Sequence, residues 1–171
     1  MNGLMMDYQL TLPTLLRRSE SYYGGKEIVT RLPDRSFHRS TYADAGRRAR
    51  ALAVGLAGLG LERGTRIATL CWNHQVHHEA YLGIPCGGFV LHTLNLRLHP
   101  NDLAYIATHA DDRAVIVDRS LLPLLEQFVG RTRIEHVLVV GGKDGYVERD
   151  GHLVDPDDLA KRQAMSRGEM S

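Results

Sequence analysis

Apolar positions along the chain switch repeatedly between a period near 3.6 and short unbroken runs, and the switches mark out an alternation of helices and strands. Leu12, Leu15 and Leu16 recur at helical spacing within Thr11 to Ser21, and the Gly24-Gly25 pair breaks that pattern. Two β-prone runs, Glu27 to Thr30 and Ser36 to Ser40, flank Leu32-Pro33-Asp34-Arg35 and predict a hairpin. Thr41 with Asp44 three residues on resembles a capping box, Asp replacing the usual Glu. Ala45, Ala49, Leu52, Ala53, Leu56 and Leu59 then form one apolar stripe, and Gly60 ends the helix.

From Thr65 onward the runs are those of strands buried on both faces. Thr65 to Trp72 predicts the first, and Asn73 is placed to cap a helix reaching about Pro85, where Gly87-Gly88 follows. The next strand begins at Val90 and ends in an Asn/Arg loop, with Pro100 and Asp102 suited to the first turn of a helix that carries Leu103, Ile106 and Ala107 to Asp111. Ala114 to Val117 predicts a strand, Leu121 to Val129 a helix, and Val137 to Val140 a strand ending in Gly141-Gly142. This is the rhythm of βαβ units, so the fold class is α/β: a mostly parallel sheet flanked by helices, plus an N-terminal hairpin. A small hairpin around Asp150-Gly151 is expected within Tyr146 to Val154, a helical turn at Asp155-Pro156, and a frayed end over Lys161 to Ser171. Residues 1–154 therefore form the folded part, and 155–171 a short polar tail.

Composition narrows the function classes. The 171 residues carry 21 Lys+Arg against 20 Asp+Glu, a formal net charge of +1 with no basic block, which argues against nucleic acid as a partner. No apolar run approaches the ~20 residues of a membrane span, and a cytoplasmic location is expected. Cys71 and Cys86 sit in apolar surroundings and read as reduced, buried thiols.

Candidate chemistry is sparse. His74 and His78 stand at i and i+4, with His77 between them, but no HExxH arrangement and no third ligand accompany them, so no metal site is assigned. His92, His99 and His109 could act as bases, yet no G-x-S-x-G elbow supplies a nucleophile. Gly55, Gly58 and Gly60 fall in and after a helix and make no dinucleotide fingerprint. The loop Gly141 to Gly145, with Lys143, follows a strand and could hold a phosphate, but it lacks the second half of a Walker loop, and a surface turn is the favoured reading. Trp72, at the C-terminal edge of a central strand, lies where doubly wound folds collect ligands, although core or rim packing is favoured. Asn95 and Arg97 could contact a substrate; bracing of their own loop is favoured.

Several blocks in register carry a family likeness: Thr41-Tyr42-Ala43-Asp44, Gly64-Thr65-Arg66-Ile67-Ala68, Trp72-Asn73, Glu79-Ala80-Tyr81, Leu91 to Leu98, Leu103-Ala104-Tyr105-Ile106, and His109 to Arg113. Over about Leu12 to Val140 the chain resembles the N-terminal part of AMP-forming acyl-CoA synthetases, the medium- and long-chain fatty-acid CoA ligases in particular. The resemblance implies a two-step reaction using ATP, Mg and CoA, in which a fatty acid becomes an acyl-adenylate and then a thioester. It also implies that the phosphate loop and catalytic lysine lie downstream of the matched region, and no Ser/Thr/Gly-rich run follows Asp155. The expectation is thus a truncated ligase, inactive alone, with no catalytic, cofactor-binding or metal residue of its own. Its uncovered strand edges and helix faces would favour self-association or a homodimer. The alternative is a standalone nucleotide- or CoA-binding or dimerisation module that needs a partner.

Overall fold

The computed structural model describes residues 3, 7–32, 34–140, 146–148 and 153–154. Helix α1 (Leu12–Tyr23) is followed by β1 (Glu27–Arg31) and β2 (Phe37–Thr41), which pair antiparallel as a separate hairpin, and by α2 (Tyr42–Gly58). The α/β alternation then runs β3 (Arg66–Leu70), α3 (Gln75–Cys86), β4 (Val90–Thr93), α4 (Pro100–Ala110), β5 (Asp112–Asp118), α5 (Leu122–Glu126) and β6 (His136–Val140). Short strands β7 (Tyr146–Glu148) and β8 (Leu153–Val154) follow. The sheet order is β4-β3-β5-β6-β7-β8, its first four strands parallel and its last two antiparallel.

Alternate residues of the parallel strands feed two cores, as a sheet covered on both faces requires. On one face Ile67, Ala114, Ile116 and Leu138 pack beneath α2 and α3 through Leu52, Leu56, Val76, Ala80 and Ile84. On the other, Ala68, Leu70, Val115, Val117, Val137 and Val139 meet Leu103, Ala104 and Ala107 of α4 with Leu121, Leu125 and Phe128. Helix α1 and the hairpin lie over α2 and α3. The α2–α3 crossing is close because Gly83 has no side chain: a Cβ there would lie 2.7 Å from the Ala49 carbonyl oxygen.

The Thr41 capping box forms as expected. The Thr41 hydroxyl accepts from the Asp44 backbone N–H at 3.2 Å, and the Asp44 carboxylate accepts from the Thr41 backbone N–H at 3.0 Å. The Thr41 hydroxyl, which also donates to Asp44 Oδ2 at 2.7 Å, and then the Thr41 backbone N–H hold the Asp44 carboxyl below the usual carboxylate range.

Four details differ from the sequence reading. The cap of α3 is His74 rather than Asn73, its ring nitrogen accepting from the His77 N–H. Pro85 lies inside the last turn of α3, where it forfeits one backbone bond but does not stop the helix. The helix expected over 121–129 is one short α5 flanked by 3₁₀ turns at Arg119–Leu121 and Val129–Arg131. The hairpin β7–β8 is present, and β7 also extends the sheet by pairing with β6. The loop Gly141 to Gly145, the turn at Asp155-Pro156 and the tail 155–171 lie outside the described residues.

Strand β5 begins two residues earlier than its apolar run because of a bulge. Arg66 pairs with Asp112 but Ile67 pairs with Ala114, so Arg113 is an extra residue. The extra residue turns Asp112 onto the face that carries His92 of β4, and Asp112 is fully buried there. The turn into the bulge is made by Asp111 at φ 56°, a conformation that Asp tolerates better than most side chains.

Candidate functional site

The outgoing connections of β3 and β5 diverge. After β3 the chain passes to α3 on one face of the sheet, and after β5 it passes to α5 on the other. Adjacent parallel strands whose loops part in this way leave a crevice at their carboxyl ends, the usual ligand position in open α/β sheets. Trp72, His74, Asp118 and Ser120 converge there from the two loops.

Asp118 ends β5 and is buried. Its Oδ2 accepts the Trp72 backbone N–H at 2.6 Å, and its carboxylate meets His74 Nε2 at 2.9 and 3.0 Å. The tautomer of His74 follows from its neighbours. Nδ1 must carry a lone pair to accept the His77 N–H at 3.3 Å, so the neutral ring holds its proton on Nε2 and donates it to Asp118. Both nitrogens are thereby committed. His74 is a clamp that ties the start of α3 to the end of β5, and it has no lone pair left for a base or for a metal shared with exposed His78. Among the described residues no group of three His, Cys, Asp or Glu side chains converges.

Trp72 rises from this clamp with its indole Nε1 donating to Ser120 Oγ at 3.0 Å and 53% of the residue exposed. The ring sits at the rim, as the packing alternative held, yet it is fixed at the backbone and at the ring nitrogen. Beneath it, His77 pairs with Thr69 Oγ1 through Nε2 at 3.0 Å and stacks edge-on with Tyr81 at 5.0 Å. Burial, then the nearby His74, lowers the His77 pKa and favours the neutral ring. Cys71 donates to the Ile116 carbonyl at 3.4 Å, and burial pushes its thiol far up, which leaves it inert as a nucleophile.

The remaining candidates do not join this cluster. Asn95 Oδ1 accepts from the Arg97 N–H at 3.0 Å and closes its own loop, while the Arg97 side chain is exposed. His92 Nδ1 donates to Asp112 at 2.8 Å across β3. Burial raises the Asp112 pKa against the opposing pull of His92. His99 caps α4 by accepting from the Asn101 N–H at 3.2 Å, and His109 stacks on Tyr105. Gly55, Gly58 and Gly60 lie in and just after α2, not between a strand and a following helix. Glu79 was noted only as part of a sequence block. It is a buried carboxylate on α3, 2.8 Å from Arg48 Nε of α2, and burial raises its pKa despite that partner. The Asp118–His74–Trp72 group has no local signal, because its members are 44 and 46 residues apart.

Residues 16–165 match the family described as AMP-binding enzyme. The chain is 43% identical over 166 residues to a long-chain-fatty-acid–CoA ligase of Thermus thermophilus, covering 94% of this chain and 31% of that protein. It is 35% identical to a medium-chain-fatty-acid–CoA ligase of Ectopseudomonas oleovorans, covering 76% of this chain and 24% of the relative. Among solved structures, the anthranilate CoA ligase AuaEII in complex with anthranoyl-AMP superposes with a TM-score of 0.71 at 24% identity, over 91% of this chain and 28% of that one. The N-terminal domain of FACL13 from Mycobacterium tuberculosis superposes with a TM-score of 0.68 at 19% identity, over 90% of this chain and 36% of that one. The chain thus spans about a quarter to a third of the length of the curated relatives it matches.

Proposed function

Because the chain belongs to the AMP-binding enzyme family, we propose that it is the sheet-bearing portion of an ATP-dependent, AMP-forming fatty-acid CoA ligase. In that reaction a carboxylate attacks the α-phosphate of Mg-ATP, and the CoA thiol then displaces AMP from the acyl-adenylate. The observation that carries this reading is the 43% identity to a long-chain-fatty-acid–CoA ligase across nearly the whole chain. The role of these residues is architectural: the Asp118–His74 clamp fixes the loops after β3 and β5, and the groups that handle phosphate belong to other parts of such an enzyme. The 171-residue chain alone is accordingly inert in a cytoplasmic setting.

Two measurements test this. Pure protein should give no carboxylate-dependent ATP–pyrophosphate exchange, and a measurable rate would overturn the inertness. A chimera in which this chain replaces its counterpart in the Thermus thermophilus ligase should exchange with fatty acids. A folded chimera without exchange would overturn the ligase assignment.

We also propose that the isolated chain self-associates. Eight of the thirteen exposed large apolar residues among those described fall within residues 8–37, including Leu12, Leu15, Val29 and Phe37. Among the described residues the edge strand β4 pairs on one side only, and it exposes Val90. Light scattering should give a mass above 19.1 kDa at micromolar protein, and a monodisperse monomer would refute it.

A further inference from the structure

Helix α4 carries a second surface feature, on the far side of the sheet from α2 and α3. Asn101, Ala104, Tyr105, Thr108 and His109 of α4, with Arg131 from the 3₁₀ turn after α5, line a shallow depression of about 490 Å³. Three properties set it apart from ordinary helix surface. Tyr105 and His109, one turn apart, stack nearly parallel, their ring centroids 5.8 Å apart at 10°, and Tyr105 is 69% exposed. The Arg131 guanidinium is held by neutral acceptors: Asn101 Oδ1 at 2.9 Å, the Pro100 carbonyl at 3.3 Å and the Gln127 carbonyl at 3.2 Å. Those three bonds use three of its five N–H groups, so its charge is not neutralised by them and two donors remain. Finally, no carboxylate lines the depression; Asp102, the acidic residue in the first turn of α4, is not part of it.

A fixed guanidinium presents fork geometry to an oxyanion, and stacked exposed rings present a flat apolar face. We propose that this depression on α4 is a binding subsite for a small anion attached to a flat ring, with Arg131 taking the phosphate or carboxylate and the Tyr105–His109 pair taking the ring. The Arg131 hydrogen bonds to α4 and to Gln127 hold the cation in place before any ligand arrives, so little ordering is required on binding.

Phenyl phosphate is the minimal probe, with inorganic phosphate and phenol as its separate halves. Ligand-observed saturation-transfer NMR on the full 171-residue chain suits the test, because it tolerates self-association. Phenyl phosphate should bind saturably and more tightly than either half. Tyr105→Ala should weaken phenyl phosphate roughly five- to tenfold through lost stacking, and leave inorganic phosphate unchanged. Arg131→Lys should weaken both anions and leave phenol unchanged. Tyr105 is on the surface, so its variant keeps the fold, which circular dichroism verifies. Titrations of Tyr105→Ala that superimpose on the parent protein would overturn the proposal. So would a phenyl phosphate affinity no better than that of its halves.

Discussion

Replacing Asp118 with Asn exposes the logic of the strand-end clamp, because the change is nearly isosteric and alters only the proton inventory. The carboxylate accepts from two donors, the Trp72 N–H and the His74 Nε2–H. An Asn side chain offers one carbonyl oxygen and one NH₂. With its oxygen at the Oδ2 position Asn still accepts from Trp72 and, at 3.0 Å, from His74, but its NH₂ then replaces Oδ1 and opposes the His74 Nε2–H at 2.9 Å. His74 cannot escape by moving its proton to Nδ1, since that nitrogen already accepts the His77 N–H that caps α3. The variant therefore loses the Oδ1 branch of the His74 bond and the charge of its acceptor, in a setting where the His74 and Asp118 side chains are only 18% and 12% exposed. A hydrogen bond to a charged group contributes about 1.5–3 kcal/mol. For a chain of this size that corresponds to a fall in melting temperature of roughly 3–12 °C. Trp72 is the only tryptophan, so urea unfolding followed by its emission reads the clamp directly, and far-UV circular dichroism reads the whole fold. Asp118→Asn should lower the midpoint on both and shift the native emission, whereas Ser120→Ala should shift the emission with little change in midpoint. An Asp118→Asn protein with the parent's midpoint and spectrum would refute the account.

Other consequences are equally direct. Gly83→Val should separate α2 from α3 and cost about 1–3 kcal/mol by overpacking, measured by denaturation, since even a Cβ meets the Ala49 carbonyl. Thr41→Ala removes the cap of α2 and should cost about 0.5–2 kcal/mol in the same assay. His77 is held below its ordinary pKa of 6.5, so its contribution is fully present above that value and is lost as pH falls toward the folded-state pKa. Melting temperatures recorded across that acidic window should decline, and His77→Gln should remove part of the decline.

What could be read from the sequence was what is local. The α2 helix was legible because Thr41, Asp44 and the stripe from Ala45 to Leu56 all report on one element, and the parallel strands because runs such as Ile67 to Cys71 and Ala114 to Val117 have no polar face. The cap of α3 was misplaced because Asn73 is the better capping residue by type, while His74 is chosen by its second bond to Asp118, which no local rule contains. Asp118 itself reads as an ordinary strand-end acid until β3 and β5 are set side by side. The pairing of β7 with β6 was hidden for the same reason: a two-stranded hairpin and the edge of a six-stranded sheet have the same local pattern.

The extra residue at Arg113 acts as a phase shifter in the sheet. With strict alternation Asp112 would share a face with Ala114, beneath α2 and α3, and could not reach His92. One inserted residue changes the side on which a buried carboxylate emerges while leaving every later residue of β5 in step with β3. As a result, the four-residue edge strand β4 is tethered to the second strand inward by a side-chain bond that bypasses the backbone ladder. Deleting a single residue from the Asp111–Arg113 turn would then free the edge of the sheet without disturbing its centre, a lesion of attachment rather than of core.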